Sequence, residues 1–183
     1  MNKKVTLLQS NLQHSKGATS LIGHYIAMGQ TSIYLLQKPW SDKGQIKDLG
    51  SMESSLYYKR DNYVNPRTCI YVNRQIEAYL KAQFCCRDLV AFKLVLKNEE
   101  GQDKPIVVSL AYLSYDSAED LPTRELVELV EYCQREGLHL LVGCDANAHH
   151  TVWGSTDINR RGAHLLEYLT STNLRILNRG RKT

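Results

Sequence analysis

Apolar and polar positions alternate along this chain in two rhythms. Short apolar runs mark strands, and stripes of helical period mark helices. The run at 5–9 predicts a first strand. Ala18, Leu21, Ile22, Tyr25, Ile26 and Gly29 then form a core-facing helical stripe over 16–28, with Ser15 as N-cap and Gly29 as stop. A short apolar run at 33–36, closed by Pro39, predicts a buried strand. Residues 44–55 mix Gly, Ser and charges irregularly and read as loop. Segments 68–72, 89–96 and 105–113 are rich in β-branched and aromatic residues and predict strands. Phe92, Leu94 and Leu96 are spaced by two, which predicts one buried face. The polar stretch from Asn98 to Asp103 predicts a hairpin connection. A helix is predicted over 122–136, with Pro122 at its start, Leu126, Leu129, Val130 and Cys133 facing inward, and Gly137 past its end. A strand at 138–144 follows. The last helix is predicted over 162–172 on Leu165, Leu166 and Leu169, with Asn173 as a left-handed cap, and a final short strand at 174–177. Hairpin-linked strands mixed with strand–helix units predict an α/β sandwich, not a wholly parallel sheet.

The 138–144 run leads directly into Asp145-Ala146-Asn147-Ala148-His149-His150. Polar, chemically capable side chains at the C-terminal end of a buried strand are where α/β proteins place ligand groups. Asp145 can take a hard cation or a water proton. Asn147, two residues on and on the same side of an extended segment, can donate to a phosphate oxygen or orient that Asp. The same residues also suit a polar strand-to-loop turn capped by Asp and Asn.

Composition narrows the class. The 183 residues suit a single domain, 1–183, with a substantial core. Hydrophobic content of 43% with 23% charged residues excludes wholesale disorder. No apolar stretch approaches bilayer-spanning length, and the N-terminus lacks a signal-cleavage pattern. These features predict an intracellular protein, nuclear or cytoplasmic, with reduced thiols. Cys69, Cys85, Cys86, Cys133 and Cys144 show no metal-binding spacing and read as small buried hydrophobes. Net charge is only +4. Its distribution is more telling: Arg160, Arg161, Arg175, Arg179, Arg181 and Lys182 face Glu167 alone after position 159. A basic end beside the Asp145 loop suits phosphate backbones, and equally a solvated surface.

Four blocks, in order, resemble the endonuclease domain of non-LTR retrotransposons, within the endonuclease/exonuclease/phosphatase (DNase-I-like) superfamily. They are Leu8-Gln9-Ser10-Asn11-Leu12-Gln13-His14-Ser15-Lys16, Leu35-Leu36-Gln37-Lys38-Pro39-Trp40, Ala111-Tyr112-Leu113, and Asp145-Ala-Asn147-Ala-His149-His150 through Trp153-Gly154-Ser155 to Arg161-Gly162. The resemblance implies a four-layered α/β sandwich of two packed mixed sheets between helices. It implies a Mg²⁺-dependent phosphodiester hydrolase that nicks DNA for target-primed reverse transcription, beside a reverse transcriptase domain downstream. Asp145 would orient or deprotonate the attacking water, Asn147 would hold the phosphate, and Tyr112 would contact it through its hydroxyl. Asn11 and Asp145 would support the metal. His14, His149, Trp153, Arg160 and Arg161 would contact DNA. Read without the family, Tyr112 is equally a strand aromatic and Asn11 an Asx turn.

Two departures from the family pattern favour a second reading. Lys38 stands where the family has its metal-binding Glu, and a charged ammonium has no lone pair to give a metal. Lys38 is expected to pair with Asp145 and fill the metal's place electrostatically. The family's later strands end in a Ser-Asp-His motif, whereas this sequence runs only to Thr183, so the domain reads as incomplete at its C-terminus. The second reading is a catalytically inactive nucleic-acid-binding remnant of the same domain. A phosphatase or nucleotide phosphodiesterase of the superfamily fits less well, because the Trp153-Gly154-Ser155 and Asn-Leu-Gln-His blocks resemble those of retroelements.

Overall fold

Five consecutive residues, Ile33–Gln37 (β2), show how the chain is layered. Ile33 and Leu35 join one apolar cluster, and Tyr34 and Leu36 join another, because neighbouring side chains of a strand leave on opposite faces. All five residues are buried, so both faces of the strand are covered. The computed structural model, which describes residues 5–29, 32–49, 56–98, 100–117 and 120–178, repeats this arrangement across two sheets.

The first sheet runs in the order β1 (Leu7–Asn11), β2, β6 (Thr68–Val72), β5 (Leu56–Tyr57). The second runs β10 (His139–Asp145), β9 (Asp103–Tyr112), β8 (Leu89–Lys97), β7 (Ala78–Cys85). β1 is parallel to β2, and β10 is parallel to β9; the other pairs are antiparallel. Between the sheets lie Ile33, Leu35, Ile70, Val72, Val90, Phe92, Leu94, Val108 and Leu110. The outer face of the first sheet packs on helix α1 (Lys16–Ala27) through Ile22 and Ile26, beside a small ribbon of β3 (Ser41–Asp42) and β4 (Gln45–Ile46). The outer face of the second sheet packs on α2 (Arg124–Arg135) and α3 (Arg160–Ser171), through Leu126, Leu129, Val130, Cys133 and Leu165. The order is helix, sheet, sheet, helices, which is the four-layered α/β sandwich expected.

The caps explain several boundaries. Ser15 accepts from the Ala18 N–H, and Gly29 closes α1 in the left-handed region at φ 71°, where glycine carries no Cβ penalty. Asn159 accepts from the Gly162 N–H at 2.8 Å, so α3 starts two residues earlier than expected. The hairpin between β8 and β9 is held by Asn98, whose side-chain oxygen accepts from the N–H groups of Glu100 and Gln102.

Four sequence expectations are corrected. Residues 174–177 form no strand, and Leu174 packs against the helix-side core of the second sheet instead. Asn173 is not left-handed. Thr172 ends α3 in an extended conformation, and its hydroxyl bridges the Leu169 carbonyl and the Leu174 N–H. Phe92, Leu94 and Leu96 do share the face toward the other sheet, but the first half of β8 buries its second face as well, through Leu89 and Ala91 on the helix side. Within the expected loop at 44–55, residues 45–46 pair as β4 after a tight turn with Lys43 and Gly44 both at positive φ; 50–55 lie outside the described residues. β5 and β7 were not anticipated. β7 alternates poorly because it is an exposed edge strand with an irregular register between Leu80 and Cys85. No helix among the described residues is long and apolar enough to cross a membrane.

Candidate active site

The two parallel strand pairs put four C-terminal ends at one end of the sandwich. Asn11 is paired in register with Gln37, and Asp145 with Tyr112. Two side-chain bonds join the pairs across the sheets. Gln9 donates its amide to the Cys144 carbonyl at 3.1 Å, and Asn11 Nδ2 donates to Asp145 Oδ2 at 2.6 Å. Asn11, Lys38, Tyr112, Asp145 and Asn147 therefore converge, as the motif order implied.

Each side chain has a defined tether. Asn11 forms an Asx turn as well, its Oδ1 accepting from the Gln13 N–H at 3.0 Å. The backbone N–H of Asn147 points at Asp145 Oδ1 at 3.4 Å, so this residue steadies the carboxylate through its main chain. Asn147 itself is left-handed at φ 44°, and its carboxamide donates to the Leu113 carbonyl at 3.0 Å. The strand ends at Asp145, so the alternation of an extended segment does not govern where Asn147 points. Tyr112 is buried, and two cations lie on its ring: Lys38 Nζ at 4.7 Å and the Arg67 guanidinium at 5.0 Å from the centroid.

The expected ion pair between Lys38 and Asp145 is absent among the described residues. Lys38 lies over Tyr112, held there by its backbone. Its N–H donates to the Arg67 carbonyl at 2.8 Å, its carbonyl accepts from the His14 N–H at 2.7 Å, and its φ is 46°. A non-glycine residue keeps that conformation only where its surroundings over-determine it.

Arg67, Asp88, Ser114 and the role of Gln37 could not be read from the sequence. Arg67 forks onto both oxygens of Asp88 and donates to Ser114 Oγ at 2.9 Å. The paired Asp88 carboxylate raises the guanidinium pKa further, against partial burial that lowers it. Gln37 is wholly buried, and neither side-chain amide atom has a partner among the described residues. A lone Arg after Pro66, an Asp in a polar turn and a Gln ending an apolar run carry no spacing signal that would have singled them out.

The expected DNA-contacting residues divide. His14 is exposed at the rim in a left-handed turn. His149 is exposed and meets Asp157 through Nδ1 at 2.9 Å. Arg160 is exposed and meets Asp120 at 3.4 Å, as does His164 at 3.3 Å. Trp153 is turned inward: it packs against the helix-side core and donates Nε1 to the Ala148 carbonyl. Arg161 is also turned inward, donating to the carbonyls of Leu113, Ser114, Ala146 and Asn147 at 3.0–3.3 Å. These two build the loop. Arg179, Arg181 and Lys182 lie outside the described residues.

The donor set does not fit Mg²⁺. That ion takes near-octahedral oxygen ligands, several of them waters, held by one or two carboxylates and the substrate phosphate, and a charged ammonium has no lone pair to add to them. Asp145 is the one carboxylate joined to Asn11, whose amide oxygen already accepts from Gln13. The neighbouring position offers the Lys38 ammonium. Among the described residues, no group of three His, Cys, Asp or Glu side chains is placed to hold a metal.

Residues 106–183 match the family model described as endonuclease-reverse transcriptase. The fold is similar to that of the endonuclease domain of TRAS1, a telomere-specific non-LTR retrotransposon. That match has a TM-score of 0.71 and 24% sequence identity, and covers 96% of this chain and 74% of that one. No curated protein matches the chain. The family match spans two of the four motif blocks, Ala111–Leu113 and the block from Asp145 to Gly162, and the likeness in fold spans nearly the whole chain.

Proposed function

We propose that this chain is an endonuclease domain of non-LTR retrotransposon origin whose site receives the phosphodiester backbone of DNA, and that it binds that backbone without cutting it at an appreciable rate. The convergence of Asn11, Lys38, Tyr112, Asp145 and Asn147 at the C-terminal ends of β1, β2, β9 and β10 carries this reading. In the parent reaction a water attacks phosphorus and the 3′ oxygen leaves. Asp145 is the group suited to orient that water and take its proton, held for the task by Asn11 and the Asn147 N–H. Tyr112 is positioned to steady a phosphate oxygen. Lys38 in place of a carboxylate favours binding over hydrolysis, since it attracts the phosphate and offers nothing to a metal. The exposed groups His14, His149 and Arg160 line the route for the flanking strand.

The purified chain should shift a fluorescein-labelled duplex at low salt, with affinity that falls steeply as salt rises. In Mg²⁺ it should nick supercoiled plasmid no faster than Asp145→Ala. Loss of one electrostatic stabiliser of a transition state typically costs about 10²–10³ in rate. Nicking that depends on Asp145 would place hydrolysis ahead of simple binding.

A further inference from the structure

Resting on that reading of the site, we infer that Lys38 is a direct phosphate-binding residue, and that DNA binding at this site needs no divalent cation. The charges around Tyr112 carry the argument. Two cations lie on its ring, Lys38 and Arg67. Arg67 is satisfied by a two-point contact with Asp88 and by the Ser114 hydroxyl. Lys38 forms no ion pair among the described residues. The nearby carboxylate, Asp145, is met by two neutral donors, the Asn11 amide and the Asn147 N–H. Both oxygens of Asp145 thus already accept a hydrogen bond, whereas the Lys38 ammonium has no acceptor among the described residues, so the ligand that completes the site is an acceptor, and an anionic oxygen suits an ammonium best. A divalent ion would meet one carboxylate and an ammonium.

The ammonium is also pre-placed. Two main-chain bonds fix the left-handed Lys38 turn, so the backbone geometry does not depend on which side chain stands there. That turn directs Nζ over the ring of Tyr112, the residue whose hydroxyl the family resemblance assigns to the phosphate. The Tyr112 ring steadies the cation by cation–π attraction while leaving its N–H donors free. A phosphate diester oxygen is the acceptor of matching charge.

Fluorescence anisotropy with a labelled duplex oligonucleotide tests this on the whole chain, in EDTA and in Mg²⁺ at matched ionic strength. The chain should bind in EDTA, and Mg²⁺ should not tighten binding. Lys38→Ala should bind at least about tenfold more weakly, with the slope of log affinity against log salt reduced by about one, as loss of one phosphate contact requires. Lys38→Arg should keep both the affinity and the slope. Lys104→Ala, at the far end of β9, should match the parent. Binding that Mg²⁺ strengthens, or an unchanged affinity and salt slope in Lys38→Ala, overturns the inference while DNA binding itself stands. No binding by any form, with thermal melts showing folded protein, overturns the reading of the site as well.

Discussion

The two walls of the candidate site are built in opposite ways. The wall from β9 and β10 is heavily cross-tied: Arg161 alone joins four carbonyls of its two loops, and Asn147 adds a fifth bond. The wall from β1 and β2 has an exposed edge strand, with Leu7 39% and Leu8 37% exposed, and beneath it a Gln37 amide with no partner among the described residues. The side chains of the first wall hold the loops themselves. On the second wall the turn is held by main-chain bonds, so its side chain is open to replacement. Lys38, the departure in charge, stands on that second wall. The fold can thus keep its backbone geometry here whatever the charge of the side chain at this position.

The largest expected effect breaks the first wall. A Cβ at Gly162 would lie 1.9 Å from the His149 carbonyl oxygen, a backbone atom that cannot step aside without moving the loop. Gly162→Ala should lower stability by about 3–5 kcal/mol, read as a drop in the thermal midpoint, the scale of severe local disruption. Gly143→Ala is the comparison between the sheets. Its nearest neighbours are the ends of the Leu35 and Gln9 side chains at 2.5 and 2.9 Å, so it should cost about 1–3 kcal/mol. Equal losses at the two positions would show that the loop is not the stiffer element.

Arg161→Lys comes next. Lysine cannot reproduce a planar fork that reaches several carbonyls. The carbonyls of Leu113, Ser114, Ala146 and Asn147 would lose that donor, at a cost of about 2–4 kcal/mol. A change within the error of the melt would mean that water replaces the guanidinium and that the first wall is less tied than the bonds imply.

The second wall predicts the opposite sign. Gln37→Leu replaces an unpaired, fully buried amide by an apolar group of similar length, and a buried polar group without partners is costly. The variant should be more stable by about 1–2 kcal/mol in denaturant titration. A loss of stability would reveal a partner for the Gln37 amide.

How far the sequence could be read follows from the same contrast. Strands with buried runs, such as Ile33–Gln37 and the first half of Leu89–Lys97, stand out as apolar, and α1 shows in its Ser15 cap, although Leu21 and Tyr25 of its expected stripe are exposed; the Asn159 cap of α3 passed unread. Edge strands are quieter. Ala78–Cys85 mixes Lys, Gln and Tyr with Leu and Phe because one side meets solvent. At the site, motif order located Asn11, Lys38, Tyr112, Asp145 and Asn147. It did not reveal direction. Arg161 and Trp153 turn inward because loop carbonyls and an apolar shelf lie behind them, and only the three-dimensional neighbourhood supplies those. The Arg67–Asp88 pair joins residues 21 apart, with no periodic pattern linking them.

The smallest expected effect compares the packing behind the two walls by pH. Cys69 of β6 lies under α1 behind the second wall, and Cys133 of α2 lies behind the first. Burial pushes both thiols up, that of Cys133 to about 11. A raised folded-state pKa means that the stability from keeping the thiol neutral is fully present below the unfolded value. It is lost as pH rises from there through the folded value, because only the unfolded chain gains by ionising. The difference in thermal midpoint between the parent chain and Cys133→Ala should therefore be constant from pH 7 to about 8.5, near the ordinary thiol range. It should narrow steadily toward pH 10.5. Cys69→Ala should show the same narrowing, since its thiol is raised further still. Parallel curves for both variants would mean that water reaches these thiols, and that the cores behind the two walls are equally open.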